Sequence, residues 1–136
     1  DLDTSRGLGD VYKRQVQRSR TNTPLQALAL MNDPTFVEAA RVLAERTMKS
    51  AASPRDRIGF AFRSATARRP SSDESAVLLE ILRDEKASFA KAPSQAARLI
   101  SVGASRADES LDAIELAAWT TVASVILSQD ETITRP

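Results

Sequence analysis

The polar residues best placed for chemistry lie in one short run, Arg20-Thr21-Asn22-Thr23-Pro24-Leu25-Gln26, followed by Asn32-Asp33. Guanidinium, amide and carboxylate groups gathered beside helix starts can bind a sugar hydroxyl or a small anion, which makes Arg20, Asn22, Gln26, Asn32 and Asp33 a candidate binding cluster. The same residues also suit a structural role. Thr23 with Gln26 three positions on has the spacing of a capping box, and Asp33 before Pro34 marks a second helix start. On that reading the polar groups close two adjacent turns and bind nothing else.

Two further sets have the right residue types. Asp130-Glu131, with Asp112 and Glu115, could supply an acid and a base if the last helix lined a cleft. A solvated turn after a helix end accounts for Asp130 and Glu131 more simply. Arg55, Arg57, Arg63, Arg68 and Arg69 make one segment basic, as in a helix that faces nucleic acid. Pro70 closes that segment and an acidic half follows, so nucleic acid is a remote alternative. The exclusions are sharper. With no cysteine and no histidine, this chain builds no disulfide, thiolate or histidine metal site and no Ser-His-Asp triad. Its glycines, Gly7, Gly9, Gly59 and Gly103, form no phosphate-cradling loop. No metal and no cofactor is expected within this sequence, and catalytic residues are not assigned.

The elements that must position these groups follow from composition. Hydrophobic residues make up 42% of the 136, yet aromatic residues only 4%. That alanine-rich mixture favours close-packed helices over strands, which draw on aromatic and β-branched residues. The net charge of +1 hides a division: residues 1–69 carry 13 basic against 7 acidic side chains, and residues 70–136 carry 6 against 11. The basic half could present a surface to phosphate or a polyanion, or the two halves could attract each other within the fold. No apolar run reaches the length of a membrane span, and no basic-then-apolar export signal stands in this stretch.

Residues 1–15 show no apolar period and read as a disordered leader. Their SRGLGDVYKRQ run is similar to translated sequencing-adapter ends, which points to a non-native leader ahead of a helical part over 16–136. The spacing then predicts a short helix after Thr23 that buries Leu28. A second runs from Pro34 to about Lys49 with Phe36 and Leu43 inward and Glu38, Arg41, Glu45, Arg46 and Lys49 outward. Ser53-Pro54 starts a third, to about Ala67, that buries Phe62. Ser71 starts a fourth, about 72–90, that buries Leu78, and a shorter helix closes at Gly103. After a polar loop over 104–110, Asp112 opens the last helix, about 113–128, apolar on nearly every side and anchored by Trp119 and Ile126. The structural caps are thus Thr23, Asp33, Ser53, Ser71 and Asp112. The sum is an all-α fold of five to six helices in an irregular bundle, with the last helix most buried.

The run RTNTPLQALALMNDPTFVEAARVLAER, with RIGFAFRSATARRP, LDAIELAAW and LSQDETITR, resembles the C-terminal part of a planctomycete domain-of-unknown-function family. Ser128 and Gln129 depart from the Asn-apolar pair that the family tends to carry before its Asp-Glu. The resemblance implies a truncated metagenomic fragment of a large exported protein, periplasmic or extracellular, whose haem c, where present, lies in a separate cytochrome c-like domain. It implies the missing upstream part of the same chain as a partner, with a glycan or a protein as a partner of the parent. The expected role is a non-catalytic structural or interaction module. The alternative is a contribution to a carbohydrate-active or haem-linked redox site.

Overall fold

In the computed structural model, which describes residues 33–128, the chain forms five α-helices and no strand occurs among the described residues. They are α1 (Pro34–Ser50), α2 (Pro54–Thr66), α3 (Ser72–Lys91), α4 (Pro93–Ile100) and α5 (Ala113–Leu127). The fold is all-α. The expected short helix after Thr23, with Leu28, lies outside the described residues.

Local chemistry sets the helix starts. The Thr35 N–H donates to Asp33 Oδ1 at 3.0 Å, the Asp56 N–H to Ser53 Oγ at 3.2 Å, and the Glu115 N–H to Asp112 Oδ2 at 2.9 Å. At α3 both arms of a capping box are present: Glu74 N–H to Ser71 Oγ at 3.1 Å and Ser71 N–H to Glu74 Oε1 at 2.8 Å. Each such cap satisfies a first-turn donor that the helix itself leaves orphaned. Pro34, Pro54 and Pro93 stand in first turns, where a missing N–H costs nothing. Pro93 also explains the break between α3 and α4. A proline pushes the residue before it out of helical geometry, and Ala92 sits at φ −138°, ψ 68° as the shared end of both helices. The end of α2 is less comfortable: Ala67 takes the left-handed conformation at φ 66° to donate its N–H to Arg63 O at 2.9 Å.

The core is organised around α5. Every residue from Leu116 to Ile126 is buried, and α5 packs against each of the other four helices. Val37, Ala40, Leu43 and Ala44 of α1, Ile58 and Phe62 of α2, Leu78 and Ile81 of α3, and Ala96 of α4 are buried as well. Burying a side chain of that size fully stabilises the fold by about 1.5–3 kcal/mol before entropy is counted. A helix enclosed on all sides must still satisfy its hydroxyls. Thr120, Thr121, Ser124 and Ser128 do so by donating to carbonyls three or four residues back, at 2.6–3.3 Å.

Leu43, Phe62, Leu78, Trp119 and Ile126 are all buried, but Phe36 is not: it is half-buried. The buried stripe of α1 runs through Val37, Ala40, Ala44 and Thr47. Phe36 lies one residue, about 100° of helix, back from Val37 and so falls at the stripe's edge. Trp119 is 1% exposed, and its indole N–H has no partner among the described residues. The Arg57 guanidinium lies over its ring at 5.9 Å. No described helix is long and apolar enough to cross a membrane.

Candidate functional site

Glu38, Arg41, Glu45 and Lys49 recur every three or four residues, so α1 carries them on one face. The helical period turned that face to water. The structure instead turns it to the loop over residues 101–112, and this corrects the sequence reading. Arg41 is 1% exposed. Its Nη1 donates to Glu45 Oε2 at 2.7 Å and to Arg106 O at 3.2 Å; its Nη2 donates to Ser105 O at 3.0 Å and Ser105 Oγ at 2.6 Å. Glu38 accepts the Ala104 N–H at 3.1 Å and the Ser105 N–H at 2.9 Å, together with the Ser105 hydroxyl. Glu45 accepts the Asp108 N–H at 2.9 Å, and Lys49 is ion-paired with Asp108. A loop poor in apolar side chains is thereby fastened through its backbone. Gly103 lets it approach: its φ is 105°, and a Cβ there would stand 2.7 Å from Glu38 Cβ.

The fastening is visible in the titration of its members. The Ser105 hydroxyl and the two loop N–H groups hold the Glu38 carboxyl below its ordinary range. The Lys49 ammonium, with Ser110, holds Asp108 well below the usual carboxylate range, and Asp108 in turn raises Lys49. Burial opposes the charge on Glu74, which is 1% exposed. The Arg68 guanidinium and the Ser71 N–H outweigh it, and the Glu74 pKa is lowered. Arg68 grips Glu74 with both forks, at 3.0 and 2.8 Å, and stacks over Phe62 at 4.7 Å.

Arg57 is committed too. Its Nε donates to Ala51 O at 2.7 Å and its Nη1 to Glu115 at 3.3 Å, and Lys86 lies 3.7 Å from the same carboxylate. Glu115 is thus a tie between α5 and its neighbours, while Asp112 caps α5. Lys49–Asp108, Arg57–Glu115 and Arg68–Glu74 each join the basic first half of the chain to the acidic second half.

The five arginines read together in the sequence therefore separate. Arg57 and Arg68 turn inward to partners. Arg55, Arg63 and Arg69 line a groove of about 740 Å³ between α2 and the start of α3. They are exposed and have no ion pair among the described residues. Asp56 also lines the groove, and Phe60 and Leu79 supply apolar wall. The Arg46 guanidinium, from α1, lies over the Phe60 ring at 5.7 Å. Spacing alone could have separated the three arginines of α2. Arg55, Gly59 and Arg63 stand four residues apart on one face, whereas Arg57 points about 200° away from Arg55.

Of the candidate polar cluster only Asp33 lies within the described residues, where it caps α1. Arg20, Asn22, Gln26 and Asn32 lie outside them, as do Thr23, Asp130 and Glu131. The sequence reading did not single out the α1 face. Its signal was the alternating Glu-Arg-Glu-Lys at helical spacing, with a Gly-Ser-Asp-rich loop later in the chain to receive it.

Comparison with curated proteins and with solved structures finds no match. Residues 8–82, more than half of the chain, match the family model described as PSD1, protein of unknown function (DUF1553), and the chain belongs to that family.

Proposed function

We propose that residues 33–128 serve as a non-catalytic packing and interaction module of a larger exported protein, of the planctomycete kind that the RTNTPLQALALMNDP run resembles. One observation carries this reading: the buried and half-buried ionisable side chains among the described residues are bound to partners within the fold. Glu38, Arg41 and Glu45 hold a loop, Asp108 pairs with Lys49, and Arg68 and Glu74 lock the α2–α3 turn. A catalytic acid or base must instead be free to exchange its proton with a substrate. Half-buried Phe36 and Val42, 40% exposed on α1, add apolar surface for the upstream part of the same polypeptide to cover. In such a parent, haem would belong to a cytochrome c-like domain outside this chain, and a glycan or protein would be the partner of the whole.

The test compares this chain with a longer product that includes the upstream part of its reading frame. The longer product is expected to melt several degrees higher and to bind less hydrophobic dye. Equal melting temperatures, with no dye bound by either product, would refute the packing role.

A further inference from the structure

We propose that the groove between α2 and α3 binds a compact organic polyanion carrying two or three phosphate or sulfate groups. This goes beyond the packing role and does not depend on it. Arg55, Arg63 and Arg69 line one cavity, and Asp56 is the one acidic residue beside them in that lining. Guanidinium forks match tetrahedral oxyanions with two parallel hydrogen bonds, and unpaired like charges gathered together gain most from an anion between them. The groove's 740 Å³ falls within the range of small-molecule sites, and Phe60 and Leu79 offer an apolar body something to lie against.

Gly59 supplies an independent observation. It stands mid-helix in α2, where glycine costs about 1 kcal/mol relative to alanine. No close packing explains it, since a Cβ there would meet nothing within 4 Å. What the glycine does is leave open the space between Arg55 and Arg63, about 12 Å apart along the helix axis. A nucleic-acid strand tracks a continuous stripe of charge. Here the stripe is interrupted, because Arg57 is drawn to Glu115 and Arg68 to Glu74. The geometry therefore favours a compact ligand over a long one.

Calorimetric titration of the full chain at low salt tests this with tripolyphosphate, ATP, a trisulfated disaccharide and a single-stranded oligonucleotide. Tripolyphosphate is expected to bind at one site per chain. R63Q is expected to weaken binding about tenfold, and G59L, which fills the open face and keeps every charge, is expected to weaken it at least as much. Neither position is buried, and circular-dichroism melts no lower than the parent's certify the fold; G59L should melt somewhat higher, since leucine suits a helix interior better than glycine. Tighter binding of ATP marks the ligand as a nucleotide, and tighter binding of the disaccharide marks it as a sulfated sugar; either supports the proposal. Three results overturn it: no binding by any compact anion, wild-type affinity in R63Q or G59L, or an oligonucleotide that outcompetes every compact anion.

Discussion

Replacing Arg41 with methionine tests the fastening of the loop to α1 at its centre. Methionine keeps much of the apolar stem, so the change removes charge and hydrogen bonds more than volume. Arg41 is 1% exposed and donates to Glu45, to Ser105 Oγ and to the carbonyls of Ser105 and Arg106. Removing one partner of a buried ion pair costs about 3–5 kcal/mol, because the other charge is left behind. Ser105 and Arg106 are exposed, so water can recover part of that loss, and R41M should cost about 3 kcal/mol. Against the 5–15 kcal/mol typical of a whole domain, this is a large fraction. R41K should lose about half as much, since an ammonium keeps the charge but not the planar fork. Urea unfolding measures both changes. Amide exchange at Ala104, Ser105 and Asp108 shows whether the loop is released. A variant R41M within about 0.5 kcal/mol of the parent, with those amides still protected, would refute the reasoning.

A67G should raise stability by about 1 kcal/mol and the melting temperature by a few degrees, because glycine occupies the left-handed region at φ 66° without penalty. G103A should cost about 1–3 kcal/mol and speed exchange of the Ala104 and Ser105 amides, since φ is 105° and the new Cβ would collide with Glu38. Glu38, Glu74 and Asp108 all have lowered pKa values. Their contribution is complete above the ordinary carboxylate range near 4 and is lost as pH falls through the lower folded values. Urea midpoints measured downward from about pH 4 should therefore fall, and less steeply in an E38Q/D108N variant.

The helix starts were legible because a cap is local chemistry: Ser71 with Glu74, or Asp112 with Glu115, needs only a few residues to be read. The central place of α5 was legible as well, since a helix apolar around its whole circumference has nowhere else to go. The outer face of α1 was not. A Glu-Arg-Glu-Lys face at helical spacing looks the same whether it meets water or a loop some sixty residues later, and only the fold brings Ser105 and Asp108 to it. Phe36 failed for a finer reason, because a one-residue offset separates the buried stripe from its margin. Among the arginines, the angular positions of Arg55, Arg57 and Arg63 on α2 decide between Trp119 and the groove, which a count of basic residues does not show.

The central claim is a division of labour among arginines: Arg41, Arg57 and Arg68 hold the fold together, while Arg55, Arg63 and Arg69 leave it free to meet a ligand. Urea unfolding of the six single Arg→Gln variants tests that division most directly. The first three are expected to lose about 1–3 kcal/mol each, and the second three to stay within about 0.5 kcal/mol of the parent. Equal losses across both sets, or larger losses in the groove set, would contradict it.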